Sequence, residues 1–159
     1  MTSNPFALPE GTRVIVTAGA SGIGRAIADL LIAQKARVHI CDVDDVHLAD
    51  FKRAHPTQGT TKADVSKESD VARLFDDAKK NLGGLDALVN NAGIAGPTGK
   101  VEDLSPEDWT RTIEICLTGQ FHCTRLAVPL IKAAGGGSIL NLSSADRKST
   151  RLSSSHTDI

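Results

Sequence analysis

The sequence predicts an α/β fold in which helices cover both faces of a parallel sheet. Apolar runs of strand length alternate with longer helix-prone segments from Thr12 to Ser143, a pattern typical of right-handed strand–helix–strand units. A glycine-rich turn also joins the first strand to the first helix. The chain has 159 residues, which suits one domain with a sizeable core.

Five strands and four helices are expected in order along the chain. The predicted strands lie near 12–17, 37–42, 58–64, 86–90 and 137–143, and the predicted helices lie near 22–34, 45–54, 67–81 and 106–133. We expect the strand order 3-2-1-4-5, which is a doubly wound sheet of the Rossmann type. With about five strands this sheet is incomplete.

The turn from Thr17 to Gly24 follows the first strand and opens the first helix. Glycines let the backbone approach a pyrophosphate closely, and the free N–H groups and positive end of the helix dipole favour its negative charge. A plain strand-to-helix turn is the alternative interpretation. The candidate cofactor-binding residues of this turn are Thr17, Gly19, Ser21, Gly22, Ile23 and Gly24.

The second predicted strand ends at Asp42. An acid about 20 residues beyond the glycines can accept hydrogen bonds from both ribose hydroxyls of a dinucleotide. Its charge would repel a 2′-phosphate, and no Arg or Lys directly follows it, so NAD is favoured over NADP. Alternatively, Asp42 is only a turn or cap residue before Asp44 and Asp45.

Two later strand ends carry further candidates. The third strand ends at Asp64 and Val65, and we expect the hydroxyl of Ser66 to cap the helix that follows. The fourth strand runs into a loop over 91–97, at the sheet edge where open α/β folds bind ligands.

The long helix predicted near 106–133 begins with a strong signal, because Ser105 can cap it and Pro106 occupies its first turn. Apolar residues then recur every four positions, at Trp109, Ile113, Leu117 and Phe121. This spacing indicates an apolar face that packs against the sheet. A subunit interface is the alternative.

Composition excludes several classes of function. The net charge is −1 and the basic residues are scattered, so nothing favours binding to nucleic acid or to a membrane surface. The chain shows no secretory leader and no apolar run long enough to cross a membrane, so we expect a cytoplasmic protein. Cys41, Cys116 and Cys123 form no Cys-x-x-Cys pair, so neither a disulfide framework nor a metal site is expected.

Four elements in order resemble the classical short-chain dehydrogenase/reductase family over roughly residues 10 to 145. They are the turn Thr17–Gly24, the pair Asp64-Val65, the segment Asn90-Asn91-Ala92-Gly93, and the pair Ser143-Ser144 after the fifth strand. The family pattern has glycine where this chain has Ala18. The resemblance assigns Gly22, Ile23 and Gly24 to the pyrophosphate, Asp42 to the adenosine ribose, Asp64 and Val65 to the adenine, and Asn90, Ala92 and Gly93 to the adenosine side of the site.

Members of this family transfer a hydride between nicotinamide and an alcohol or carbonyl carbon, with Tyr as general acid/base, Lys beside it, Ser orienting the substrate and Asn in a proton relay. By this resemblance Ser144 is the substrate-orienting serine. Cys116 stands at the place of the relay Asn. A thiol does not reproduce an amide's two-sided hydrogen bonding, so we expect the relay to be absent or carried by water alone.

The family's Tyr and Lys have no counterpart, since the sequence contains no tyrosine. Residues 146–159 resemble the translation of a common DNA-sequencing adapter, with Ser153 where the adapter reads Asn. We therefore expect an NAD(P)-binding Rossmann domain over 1–145, truncated after its fifth strand, and a non-native tail over 146–159. A genuine serine-rich surface tail is the alternative. The fifth strand would then be an exposed sheet edge, and the chain as written would be weakly stable and inactive.

Two functions remain open for this sequence. The first is an NAD-dependent short-chain dehydrogenase/reductase, here without its catalytic Tyr and Lys, whose parent protein acts on a small alcohol or carbonyl compound as a homodimer or homotetramer. The second is a non-catalytic dinucleotide-binding module. Within the first, the residues present do not separate a 3-oxoacyl thioester reductase from a secondary-alcohol or sugar dehydrogenase.

Overall fold

The structure is a computed structural model, and it describes residues 8–143. Its five strands are β1 (Arg13–Thr17), β2 (Arg37–Asp42), β3 (Gly59–Lys62), β4 (Ala87–Asn90) and β5 (Ser138–Asn141). They form one sheet in the order β3-β2-β1-β4-β5, and every neighbouring pair is parallel. This confirms the predicted incomplete doubly wound sheet.

The helices also follow the predicted order. They are α1 (Gly22–Ala33), α2 (Asp45–Ala54), α3 (Glu68–Leu82), α4 (Pro106–Ile113) and α5 (Gly119–Ala133), and a short 3₁₀ turn spans Val101–Asp103. A π-helical turn over Glu114–Thr118 joins α4 to α5, so the predicted single helix has three segments. Ser105 caps α4 as expected, because its hydroxyl accepts a hydrogen bond from the Asp108 amide at 3.0 Å.

The central strands β1, β2 and β4 are buried on both faces, which explains why they read as apolar runs rather than as alternating sequence. On one face, Val14 and Val16 of β1 pack in a cluster with Phe51 of α2. On the other, Ile15 packs in a cluster with residues of α3 and α5, among them Leu74. Successive side chains of β1 therefore enter different halves of the core.

Ser66 does not cap α3, contrary to the sequence prediction. Its amide and hydroxyl both donate to Oδ1 of Asp64, at 3.0 and 2.7 Å. The helix begins two residues later at Glu68, after Lys67. The carboxylate of Asp70 accepts a hydrogen bond from the Asp64 amide at 3.0 Å. The backbone amides of this turn therefore donate to Asp64 and Asp70, and the Ser66 hydroxyl caps none of them.

The prediction that the four-residue apolar repeat packs against the sheet is also wrong. Trp109, Leu117 and Phe121 are 65%, 62% and 60% exposed. The sheet is covered instead by positions on another face of α5, such as Cys123 and Ala127. Periodicity identifies an apolar face of a helix, but it does not say which surface covers that face.

The described part of the chain leaves β5 at the edge of the sheet, as the sequence predicts. This strand pairs only with β4, and Leu140 is 54% exposed. Among residues 8–143, no helix combines the length and the hydrophobicity that crossing a membrane requires.

Candidate functional site

The glycine-rich turn between β1 and α1 presents unopposed positive charge. Ser21 precedes the first helical residue, its backbone is extended, and its side chain makes no capping hydrogen bond. The first turn of α1 contains no acidic residue. The helix dipole and the first amide groups are therefore free to stabilise an anion.

Two residues of this turn adopt the left-handed conformation. Gly22 has φ of 55°, and Ala18 has φ of 49°, at a cost of about 1 kcal/mol for a residue with a side chain. Ala18 thus takes the conformation that the family pattern assigns to glycine. Gly19 serves close packing, since a Cβ there would lie 2.7 Å from Cγ2 of Ile40.

Thr17 and Asn91 tie this turn to the end of β4. Thr17 is buried, and its hydroxyl oxygen accepts hydrogen bonds from the amides of Asn91 and Ala92, at 3.0 and 2.9 Å. The Asn91 side-chain amide donates to the carbonyls of Thr17 and Ala18, at 3.0 and 3.1 Å. Thr17 therefore positions the loop after β4. Sequence reasoning did not select Asn91, although the Asn-Asn-Ala-Gly segment contains it.

Asp42 is fixed at the end of β2, beside the turn. Its Oδ2 accepts a hydrogen bond from the Ala20 amide at 3.2 Å, and its Oδ1 accepts from the Val43 and Asp44 amides at 2.8 and 3.2 Å. The residue that caps α2 is Asp44, whose side chain accepts from the amides of Val46 and His47. The alternative that Asp42 caps α2 is therefore wrong, whereas the alternative that it is a turn residue agrees with its bonds to the Val43 and Asp44 amides. Its bond to the Ala20 amide also holds the end of β2 against the glycine-rich turn.

A cavity of about 160 Å³ lies at the carboxyl ends of the strands. Pockets for whole drug-sized ligands measure roughly 300 Å³ or more, so this cavity is large enough for part of such a ligand only. Its walls include five of the predicted cofactor-binding residues, namely Asp42, Asp64, Val65, Ala92 and Gly93. The remaining lining residues are Ala18, Val43, Ala63, Ile94, Arg111 and Ile115.

A larger, open depression of about 310 Å³ lies on the surface of α4. It is lined by Pro106, Glu107, Thr110, Arg111 and Glu114. None of the predicted site residues lines it, so it belongs to the helix surface rather than to the strand ends.

Asn90 does not line the cavity. It is buried, and its side-chain amide donates to Oδ1 of Asn141 at 2.8 Å and to the Thr124 hydroxyl at 3.2 Å. Asn90 therefore connects β4 to β5 and to α5. Within residues 8–143 its own side-chain oxygen has no hydrogen-bond partner.

The Cys116 thiol contacts both backbone groups of Ile94. It donates to the Ile94 carbonyl at 3.3 Å and lies 3.4 Å from the Ile94 amide, which donates to the sulfur. Both contacts join the thiol to one loop residue, and the absence of the proton relay stays a prediction. Cys116 lies within the π-helical turn, next to the loop, and a Cβ at Gly93 would lie 3.7 Å from its sulfur, in ordinary van der Waals contact.

The other cysteines are structural. Burial raises the pKa of the Cys41 thiol far above its usual range, and it raises the pKa of Cys123 to about 12. Among the described residues, no group of His, Cys, Asp and Glu side chains is arranged to hold a metal ion. The predicted Ser144 and the tail over 146–159 lie outside the described residues.

Comparisons with known proteins agree with this geometry. A family model for short chain dehydrogenase matches residues 12–155. The chain is 44% identical over 134 residues to cis-4-hydroxycyclohexanecarboxylate dehydrogenase of Sinomonas cyclohexanicum, covering 82% of this chain and 53% of that protein. It is 39% identical over 139 residues to D-beta-hydroxybutyrate dehydrogenase of Cupriavidus necator, covering 85% and 54%.

A third relative carries its cofactor in its name. The 2-dehydro-3-deoxy-L-rhamnonate dehydrogenase (NAD(+)) of a Sphingomonas species is 36% identical over 138 residues, which are 87% of this chain and 55% of that protein. The chain thus spans about half the length of these relatives. Together with the sheet order and the glycine-rich turn, these matches show that the chain belongs to the short-chain dehydrogenase/reductase family of oxidoreductases.

Proposed function

We propose that this chain is the NAD-binding half of a dehydrogenase that transfers a hydride between nicotinamide and a small alcohol or carbonyl compound. When bound, the nicotinamide ring would accept or donate the hydride. The chain's own residues would bind the adenosine and pyrophosphate parts of the cofactor. The relatives named above are dehydrogenases, and the observation that carries the choice of NAD is the position of Asp42 in the cavity wall.

Asp42 offers acceptors and a negative charge at the end of β2. Its oxygens accept three backbone hydrogen bonds, and a carboxylate has about four lone-pair sites, so capacity remains for a ribose hydroxyl. A 2′-phosphate at the same place would meet like charge, which costs about 4 kcal/mol per charge pair at 4 Å near a protein surface before relaxation. This difference supports NAD over NADP.

We propose further that the chain as written binds the cofactor without turning it over. Its sequence contains no tyrosine, so no phenol is present to exchange a proton with the substrate oxygen. The same observation favours a second candidate, a non-catalytic dinucleotide-binding module. The two candidates differ in the parent protein, where the dehydrogenase would gain a general base and the binding module would not.

Calorimetric titration of the chain with NAD⁺ and NADP⁺ tests the proposal. We expect NAD⁺ to bind at least about tenfold more tightly than NADP⁺. A tenfold difference in affinity corresponds to about 1.4 kcal/mol, which is less than the repulsion between Asp42 and a 2′-phosphate. Asp42→Asn keeps the shape of the side chain and removes its charge, so it should reduce the preference for NAD⁺ over NADP⁺. Mixtures with NAD⁺ and secondary alcohols should produce no NADH absorbance.

The opposite results are equally informative. Equal affinity for the two cofactors, or a ratio unchanged in Asp42→Asn, would contradict the role of Asp42. A chain that binds neither cofactor would contradict the proposed function. Steady production of NADH would show that another group replaces the phenol.

We also propose that the exposed stripe of Trp109, Leu117 and Phe121 joins two copies of the chain. These three large apolar side chains lie in α4, in the π-helical turn and in α5, with more than half of each exposed, and exposed apolar patches mark interaction sites. A twofold contact between identical helices would bury the stripe against itself.

Sedimentation velocity tests whether the stripe is an interface between two copies of the chain. The chain should sediment as a dimer or larger species, and Leu117→Glu should shift it toward the monomer because it buries a charge in the contact. Val46→Glu is the matched control, since Val46 is equally exposed but lies on α2. If both variants shift the distribution alike, or neither does, the stripe is not the interface.

A further inference from the structure

Strand β5 forms one edge of the sheet and has unused backbone groups. The Ser138 amide donates to the Asp86 carbonyl at 3.1 Å, and the Leu142 amide donates to the last residue of β4 at 2.9 Å. Alternate residues of a strand direct their backbone N–H and C=O groups to opposite sides, so these groups of Ile139 and Asn141 point away from β4. Within residues 8–143, β5 pairs with β4 alone, and the outward groups have no partner strand.

The opposite edge of the sheet is protected against pairing with another chain. At β3, Lys62 places a charge in the strand itself. Lys52 donates to the Gln58 carbonyl just before this strand, at 2.6 Å. Arg73 donates to the Lys62 carbonyl at the end of the strand, at 2.7 Å. Charged side chains at an edge strand discourage its pairing with a second strand.

The β5 edge has no such protection. Residues 133–143, which include β5 and the segments on both sides of it, contain no charged residue and no proline. An uncharged edge with free backbone groups is a template for another strand. Since no like charges would oppose each other, a second copy of the same strand can approach this edge.

Leu140 is the exposed apolar side chain of β5. It lies beside Val89 in the register of the sheet, and Val89 packs in the cluster that contains Phe51. Leu140 therefore projects to that face of the sheet, whereas α5 covers the other face. Because Leu140 is 54% exposed, about half of its surface remains available to another chain.

We propose that β5 of the chain as written pairs with β5 of a second copy, antiparallel and about a twofold axis. Identical strands are complementary in this arrangement, because the free N–H groups of each meet the free C=O groups of the other. With the axis at Leu140, Ile139 of each copy exchanges both of its backbone hydrogen bonds with Asn141 of the other. The two sheets then join into one continuous sheet.

The free groups also determine the register of this pairing. An axis at Ile139 or at Asn141 would pair the other of these two residues with a residue outside the strand, whereas an axis at Leu140 pairs them with each other. The two Leu140 residues then form a pair without hydrogen bonds, whose Cα atoms lie about 4.5 Å apart with their side chains in contact. The proposal therefore predicts that the two Leu140 side chains cover each other.

Disulfide formation in Leu140→Cys, with glutathione disulfide as the oxidant, tests this register in the whole chain. Disulfides join Cα atoms about 4.4 to 6.8 Å apart, so we expect a covalent dimer that dithiothreitol releases. Leu30→Cys is the matched control, since Leu30 is 61% exposed but lies on α1. It should form at least about tenfold less covalent dimer, because the proposed contact does not bring its two copies within bridging distance.

A charge at the axis should separate the two copies. In a chain that also carries Leu117→Glu, which interrupts the exposed stripe, Leu140→Lys should raise the dissociation constant of the dimer at least about tenfold, because two like charges then oppose each other directly. Val101→Lys is the control, since Val101 is 83% exposed in the 3₁₀ turn, and it should leave the constant unchanged. Sedimentation velocity measures the constant, and circular dichroism verifies that each variant folds.

Amide hydrogen exchange provides a test that needs no substitution. The Ile139 and Asn141 amides of the unmodified chain should exchange at least about tenfold more slowly when the chain is concentrated enough to dimerise than when it is dilute. The Ser138 amide, which donates to Asp86 of its own chain, should be protected at both concentrations.

Other results would overturn the β5 contact. Equal disulfide yields in the two cysteine variants, or fast exchange of the Ile139 amide at every concentration, would show that the edge does not pair with a second copy. Protection that does not depend on concentration would mean that residues 144–159 of the same chain cover the edge, which also overturns the proposal. None of these measurements depends on a dinucleotide, so the proposed cofactor binding stands or fails separately.

Discussion

Replacing Gly24 with alanine is expected to lower the free energy of unfolding by roughly 3 kcal/mol or more. A Cβ at this position would lie 2.1 Å from the Ala18 carbonyl oxygen and 2.5 Å from the side-chain nitrogen of Asn91. Neither atom can move freely, because Asn91 donates to the carbonyls of Thr17 and Ala18. The start of α1 would therefore have to move away from the end of β1.

Gly22→Ala is the matched control, two residues earlier. Gly22 has φ of 55°, but no atom lies within 4 Å of its Cβ position. Its substitution should cost only about 1 kcal/mol, for the left-handed conformation. Both variants add one methyl group at the start of the same helix, so their difference isolates the close approach.

Urea unfolding followed by circular dichroism measures the difference. Gly24→Ala should unfold at a clearly lower urea concentration than Gly22→Ala, or lose its helical signal without denaturant. Equal urea midpoints for the two variants would mean that the turn accommodates the added methyl group at little cost. The close contact of α1 with the end of β1 would then contribute little to the free energy of unfolding.

The architecture was largely predictable because its signals are local. Alternating apolar and helix-prone segments located all five strands, and the glycine-rich turn marked the junction of β1 and α1. The errors arose where a side chain had a choice of partners. Ser66 was expected to cap α3, but Asp64 is nearer to it. The π-helical turn at Glu114–Thr118 has no comparable sequence signal.

The candidate site was predictable only where it follows the strand ends. Asp42, Asp64 and the loop after β4 come together because parallel strands end at one sheet edge. Arg111 was missed because it comes from the long helix, and an arginine between two glutamates indicates a solvated helix surface. The contacts of the Cys116 thiol with the Ile94 backbone were not predictable from the sequence, since they depend on how the helix packs.

The chain spans about half the length of the relatives named above, and its described residues include the strand ends that form the walls of the cavity. Measurements on this chain therefore test the proposed cofactor binding and the stability of the sheet.

Acidification is expected to destabilise the chain through His39, a buried residue of β2 that no proposed step uses. Its Nε2 lies 2.9 Å from the Thr61 hydroxyl, and that hydroxyl donates to Asp77 at 3.0 Å. Thr61 therefore accepts from Nε2–H, and within residues 8–143 Nδ1 has no partner. The histidine is neutral in this arrangement.

Burial lowers the pKa of His39 to about 4 and the charge of Lys52 lowers it further, while the neighbouring Asn81 side chain and the charge of Asp77 raise it in part. An unfolded chain titrates this group near the usual value of about 6.5. Between these values the unfolded state binds the proton and the folded state does not, so stability falls as pH falls. The loss should reach about 2 kcal/mol from about pH 7.5 to about pH 5, and about 3 kcal/mol by about pH 4.

Urea titrations at several pH values between these limits measure the slope. His39→Gln keeps a donor toward Thr61 but has no proton to gain, so its free energy of unfolding should change less with pH than that of the wild-type chain. The window above about pH 5 is the decisive one, because carboxylates with lowered pKa values, such as Asp86 beside Arg13, contribute mainly at lower pH. A wild-type slope that persists in His39→Gln would assign the acid sensitivity to other groups, and the buried histidine would then be solvated well enough to take up its proton in the folded state.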